Sequence, residues 1–363
     1  MIVGIVGLPL SGKTTLFNAL TGGSVAVDKF MGGKRETHRA VVNVPDERLE
    51  RLAEIFQPRK VTPATVEYVD MAPVQREGGS RSGLDDEFLG YIRTLDELLI
   101  VLRAFEDEAV PHPLGDVDPV RDFDELMAEF LLSDLAIVEN RIARLEKTAH
   151  KTKNEEELFE LELLSRFRTV LEENKPLRVL ELAPEEEKVV RGYAFLTLKP
   201  TLVVVNIGEQ DLGQEEAWLD RFADVMAVPD TRVTAVCAQI EAEIAQLDPE
   251  DARAFLEDMN LKEPARLRLI RDSYELLGLV NFFTAGEKEV RAWTIRRGTR
   301  AKEAAGVIHS DLERGFIRAE VVPYEDLVRL GSFARCREEG VLRLEGKDYV
   351  VRDGDVITVR FGV

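Results

Sequence analysis

The chain has 363 residues and a formal net charge of −20, with 45% hydrophobic and 32% charged residues. That is enough for two or three domains with a sizeable core, and no apolar run approaches the ~20 residues that a membrane helix needs. An acidic surface of this kind excludes gripping nucleic acid with the whole molecule: no DNA partner is expected, and any RNA contact needs a local basic patch.

The first apolar run, Ile2–Val6, predicts a strand and leads into Gly7-Leu8-Pro9-Leu10-Ser11-Gly12-Lys13-Thr14, with a helical pattern over Thr15–Leu20. GxxxxGKT between a strand and a helix predicts a phosphate-binding loop. The two glycines let backbone N–H groups close on phosphate oxygens, and the helix adds the positive end of its dipole. Leu10, Ser11, Gly12, Lys13, Thr14 and Thr15 are the expected phosphate-binding residues. Lys13 is the expected catalytic group, reaching the outer phosphates, and the Thr14 hydroxyl is an expected Mg²⁺ ligand.

Ser24–Arg39 is Gly-rich and polar and reads as a mobile loop. Val66–Val69 predicts a strand, and Asp70 at its end is the second expected metal residue. Leu98–Leu102 predicts another strand. Apolar residues at helical spacing follow, from Leu126 and Phe130 to Ile142 and Leu145, then from Leu158 to Phe167 and Leu171 beyond the polar Thr148–Asn154. They predict an inserted antiparallel helical hairpin, serving either as a partner-binding arm or as a self-packed pair with solvated outer faces.

Lys199–Val205 and Arg232–Ala238 predict two further strands, and Glu241–Leu247 and Ala252–Asn260 predict helices. Base recognition is expected at the ends of these strands, at Asn206, Ile207, Glu209 and Ala238. A GTPase of this class carries Asn-Lys-x-Asp after the first of them, where the short carboxylate accepts two guanine N–H groups. Here Glu209 and Ile207 replace the Asp and Lys, so the guanine fork is lost and adenine becomes acceptable.

Beyond about residue 281, Val290–Ile295 and Phe316–Val322 predict strands and Ala301–Ile308 a helix capped by Thr299. Asp353-Gly354-Asp355 predicts a hairpin turn between Tyr349–Val351 and Val356–Phe361. Arg291, Arg296, Arg297, Arg300 and Lys302 form the best candidate RNA-facing patch, or else a solvated charged face. Cys237 and Cys336 suggest no disulfide or metal knuckle, and with an N-terminus entering directly into a strand they predict a reducing cytosol and a cytoplasmic protein. His38, His112, His150 and His309 read as surface or core histidines, not metal ligands.

The phosphate loop, Phe105-Glu106-Asp107, the hairpin, Asn206-x-x-Glu209, Cys237–Ile240, the run Phe283–Trp293, His309 and Leu344–Val351 stand in an order that resembles the Obg-like ATPase family, the YchF group of P-loop proteins. The resemblance implies an α/β fold: a Ras-like P-loop NTPase domain with an inserted antiparallel coiled-coil arm and a C-terminal β-grasp, ubiquitin-like TGS domain. The spans are then 1–123 and 196–280 for nucleotide binding, 124–195 for the arm and 281–363 for the TGS-like module. It also implies Mg²⁺ with bound ATP (or GTP), hydrolysis of ATP in preference to GTP, and the ribosome or RNA as partner.

The chain departs from the family pattern near the γ-phosphate. Asp-x-Ala-Gly becomes Asp70-Met71-Ala72-Pro73, and proline has no N–H to give. Val74 keeps the family's apolar residue where GTPases often carry a water-orienting Gln, with Gln75 one place off. Lys34 stands where the family's Thr closes over Mg²⁺, and Thr37 is its nearest substitute. This pattern reads as a divergent paralogue with slow hydrolysis and similar affinity for ADP and ATP. A non-hydrolysing nucleotide-bound module and a GTPase of relaxed base choice are the alternatives.

Overall fold

Uninterrupted apolar runs need cover on both faces, which the middle of a parallel sheet flanked by helices supplies. The structure, a computed structural model, describes residues 1–22, 28–32, 35–71, 84–152 and 154–362. It divides into two units: Met1–Ala40 with Glu67–Arg266, and Val41–Val66 with Leu267–Val363.

In chain order the first strands are β1 (Ile2–Val6), β2 (Asp28–Gly32), β3 (Arg35–Asn43), β4 (Val61–Thr62), β5 (Thr65–Asp70), β6 (Glu97–Arg103), β7 (Thr201–Asn206) and β8 (Thr231–Val236). All but β4 form one sheet, ordered β2-β3-β5-β1-β6-β7-β8. Every residue of β6 and β7 is buried. β1 runs parallel to both β5 and β6, with Ile5 opposite Asp70 and Gly4 opposite Leu98. The carboxyl ends of these parallel strands form the edge where α/β sheets bind ligands.

Two local expectations change here. The segment read as a mobile loop contains β2 and β3, an antiparallel pair with Lys29 opposite His38. Arg232–Ala238 is shorter as a strand than expected, because the chain turns into the helix Ala238–Ile244.

The hairpin is built from a first arm helix, Pro119–Thr152, and a second, Glu155–Glu172. Asn154 starts the second by accepting the Glu156 N–H at 3.1 Å, as a capping amide does. Val138, Ile142, Leu145, Leu164, Phe167 and Leu171 fill the seam. Arg141 closes a two-pronged bond across it to Glu160, at 2.9 and 2.7 Å. Asp134, wholly buried on the first arm helix, accepts from the N–H groups of Leu196 and Thr197 at 3.1 and 2.8 Å, and from the Thr197 hydroxyl at 2.8 Å. It also accepts from Arg93 at 2.8 Å. No helix among the described residues is long and apolar enough to cross a membrane.

The second unit adds β9 (Leu279–Ala285), β10 (Val290–Arg296), β11 (Phe316–Pro323), β12 (Arg343–Glu345) and β13 (Asp355–Phe361). Its sheet runs β12-β11-β13-β9-β10-β4. β9 and β13 lie parallel at its centre with antiparallel partners, β10 and β11, outside them. Ala301 and Ala304 of the helix Ala301–Ile308 pack on Val280, Phe282, Val321 and Ile357. This is a β-grasp arrangement.

The nucleotide-binding span expected at 1–123 and 196–280 included residues that the structure groups with this C-terminal unit, 41–66 and 267–280. The reason is long-range pairing. Val61 and Thr62 of β4 lie in register with Val290 and Arg291. Arg48, on the helix Glu47–Phe56, clamps Asp46 at 2.9 Å and Asp353 at 2.8 Å. Two further corrections fall in this unit. Tyr349–Val351 is not the partner strand of β13: Val350 makes only an isolated bridge to Arg300, and β13 pairs with β11 instead. Thr299 does not cap the helix Ala301–Ile308, since its hydroxyl turns back to the Arg296 carbonyl at 2.6 Å and Arg300 holds the capping position.

Candidate nucleotide-binding site

The loop after β1 is shaped by two glycines. Gly7 has φ 153° and Gly12 has φ 91°. A Cβ on Gly7 would lie 2.4 Å from the Val101 carbonyl oxygen, and one on Gly12 would lie 2.2 Å from Asn206 Nδ2. Gly12 is the N-cap of α1 (Lys13–Thr21) and offers no side chain to its first N–H groups. Those donors are left for a ligand, as at an anion-binding helix start.

Lys13 is only 5% exposed. Its Nζ donates to the Leu8 carbonyl at 2.7 Å. Burial pulls its pKa down to about 8, against the opposing charge of Asp70. The Thr14 hydroxyl donates to Asp70 Oδ2 at 2.8 Å. Asp70 is 4% exposed, and among the described residues its Oδ1 has no hydrogen-bond donor. Burial raises this carboxyl, while Thr14, Lys13 and His38 pull the other way. A buried carboxylate oxygen without a donor is costly unless something is meant to meet it.

These groups fit a divalent cation. The Thr14 hydroxyl and the Asp70 carboxylate are hard oxygen donors, the kind Mg²⁺ prefers. Among the described residues no cluster of three or more His, Cys, Asp or Glu side chains could hold a metal. A Mg²⁺ ion held by one or two protein oxygens takes its other ligands from phosphate oxygens and water.

Asn206, at the end of β7, joins two loops. Its Nδ2 donates to the Ser11 carbonyl at 3.0 Å, and its Oδ1 accepts the Ala238 N–H at 3.0 Å. Of the expected base-binding residues, Asn206 and Ala238 thus meet each other. Glu209 is exposed on the turn Glu209–Asp211. Ile207 is 1% exposed and packs into the core of the unit, so its side chain faces inward and only its backbone is left for a base. Ser11, Lys13, Thr14 and Asp70 converge on the loop, Leu10 is half-exposed at φ 64°, and Thr15 is half-buried on α1. Thr37 is buried. Lys34, Pro73, Val74 and Gln75 lie outside the described residues.

Two residues near the loop escape a sequence reading. Arg103, 2% exposed, donates to the Phe105 carbonyl at 3.1 Å and lies 4.6 Å over the Phe105 ring. That ring in turn approaches Gly12. His38 brings its Nδ1 to 3.9 Å from Asp70 Oδ2. The signal for both was strand position, not local motif.

Gly12→Ala tests the loop geometry. The added methyl meets Asn206 and the left-handed backbone carries about 1–2 kcal/mol of strain. The expected result is a lowered melting temperature with ADP affinity at least about tenfold weaker, as loss of one charge-assisted bond implies. Unchanged ADP affinity by calorimetry would contradict this reading of the loop.

A strand, a glycine-turned loop and a helix, closed by an aspartate from the neighbouring strand, place the chain among P-loop nucleotide-binding proteins. A family model described as a 50S ribosome-binding GTPase matches residues 2–141, and one described as a YchF-type GTPase C-terminal domain of unknown function matches residues 279–362. A Bacillus subtilis (strain 168) protein named ribosome-binding ATPase YchF is 43% identical over 367 aligned residues, covering 100% of both chains. A Haemophilus influenzae protein of the same name is 44% identical over 360, covering 99% of each. The solved Schizosaccharomyces pombe YchF GTPase matches with a TM-score of 0.85 at 31% identity, over 99% of this chain and 97% of that one. The chain belongs to the YchF family.

Proposed function

We propose that this chain binds ATP with Mg²⁺ in the loop Gly7–Thr15, hydrolyses it slowly and works in contact with the ribosome. The convergence of Lys13, Thr14 and an Asp70 oxygen that has no donor among the described residues, at the left-handed end of the loop, carries the nucleotide reading. Lys13 holds the outer phosphates, and the N–H groups at the start of α1 meet the charge that grows there during transfer. Magnesium, when bound, neutralises charge on the phosphate oxygens; Thr14 and Asp70 hold it directly or through water. Asn206 and Glu209 border the base, and the absence of a short carboxylate at Glu209 favours adenine. The names of the relatives support the ribosomal partner. In the C-terminal unit Arg291 lies 3.9 Å over Trp293, a cation–aromatic pair of the kind that can meet RNA. A reducing cytoplasm suits the two buried free cysteines.

Slow turnover follows from Pro73 and Lys34. A second reading, nucleotide held without hydrolysis, rests on Pro73 alone, since proline cannot donate to the γ-phosphate. Single-turnover hydrolysis, compared with the Bacillus subtilis relative, tests both. A rate equal to that of the relative would contradict slow turnover, and no detectable rate would favour the second reading.

Binding should also depend on pH in a defined direction. In the free protein Lys13 loses its proton near pH 8, whereas polyphosphate beside it keeps the ammonium charged. Below that pH no proton is exchanged and affinity is flat. Above it binding takes up a proton, and affinity falls by up to about tenfold per pH unit. Titrations at pH 9 in buffers of different ionisation enthalpy should show this uptake; none would mean that Lys13 is not beside the phosphates.

A further inference from the structure

His38 stands where a metal ligand could stand. It lies on β3, beside the strand that ends in Asp70. Its side chain is 31% exposed, and its Nδ1 is 3.9 Å from Asp70 Oδ2, the oxygen that also accepts the Thr14 hydroxyl. The ring leans on Phe17, with centroids 6.5 Å apart at 39°. Phe17 is 1% exposed on α1, so a fixed wall orients the imidazole.

We propose that His38 is a nitrogen ligand of the cation bound at the phosphate loop, together with Thr14 and Asp70. The inference rests on the nucleotide site proposed above. Two atoms bound to one ion at ~2.1 Å are at most about 4.2 Å apart, and the His38–Asp70 separation falls inside that span. The consequence is chemical. An all-oxygen site suits Mg²⁺, while an imidazole draws the preference toward Mn²⁺ and later first-row ions. The chain would then use Mn²⁺ better than an oxygen-only site would. In a plain ion pair with Asp70, His38 would touch no metal.

Pulsed electron paramagnetic resonance on the full-length protein with Mn²⁺ and ADP separates these cases. The expected spectrum shows ³¹P coupling from the diphosphate and ¹⁴N coupling from a directly bound imidazole. Labelling histidine with ¹⁵N should replace the ¹⁴N feature. His38→Ala should abolish it, keep the ³¹P coupling and reduce the Mn²⁺-over-Mg²⁺ preference of the ADP complex about tenfold. His38→Asn should behave likewise, as a check that the ring nitrogen and not side-chain bulk is at issue. Phosphorus coupling without nitrogen in the wild type, or nitrogen coupling that survives in His38→Ala, would overturn the assignment and leave the nucleotide site standing. No bound Mn²⁺–ADP at all would overturn both.

Discussion

Lys13→Met is expected to weaken ATP binding in the presence of Mg²⁺ by about 100-fold and to remove turnover, the range found when a preorganised electrostatic donor is lost. The variant keeps most of the aliphatic stem and deletes the charge. Stability should move the opposite way. The Lys13 ammonium sits 5% exposed, bonded to one carbonyl, with its pKa pulled from 10.5 to about 8. A base whose folded pKa is depressed disfavours folding most fully below that pKa, and the cost fades as pH rises from about 8 toward 10.5. At pH 7 the unliganded variant should therefore be more stable than the parent, by on the order of 1–3 kcal/mol. Calorimetry for binding and thermal melting for stability check the pair. Weaker binding with lower stability would show that Lys13 is held by the fold for structure and not for phosphate.

Asp134→Ala is expected to cost about 3–5 kcal/mol, the range for breaking a buried charged pair from one side. Asp134 is wholly buried and accepts from Arg93, from two backbone N–H groups and from the Thr197 hydroxyl. Its loss leaves Arg93 with Ser133 and the Ala194 carbonyl but no paired carboxylate among the described residues. The arm root should melt first, because this carboxylate ties the first arm helix to the segment that returns to β7. Asp134→Asn keeps one acceptor and should lose roughly half as much. Urea denaturation followed on the arm and on the whole chain reads both variants. A change below 1 kcal/mol for the alanine variant, by the scale of an exposed pair, would mean the network is not what anchors the arm.

What could be read from the sequence was local. Gly7 to Thr14 carry their own geometry, with glycines at two of the three positive-φ positions, Leu10 at the other, and the helix starting at Lys13. Asp70 was legible because a strand end has a fixed relation to a neighbouring parallel strand. The arm was legible because its apolar residues repeat at helical spacing over two long helices. What could not be read was long-range. His38 is 32 positions from Asp70, a separation that hides a sheet contact. Its segment looked like a loop because glycines and charges there outweigh β propensity, which depends on context. Residues 41–66 join the C-terminal sheet through β4, two residues long, too short to show alternation. Ile207 follows a buried strand and continues its inward packing, so one residue of a motif served the core. Tyr349–Val351 had the composition of a strand beside a good turn, yet β11 had already taken the edge of β13.

Titration calorimetry of the full-length protein with ATP and with GTP, each with Mg²⁺, is the most direct test. The account predicts one saturable site per chain that is lost in Lys13→Met, with ATP bound at least about tenfold tighter than GTP, the discrimination one unmatched hydrogen bond supports. No saturable heat with either nucleotide, or binding unchanged in Lys13→Met, would contradict it.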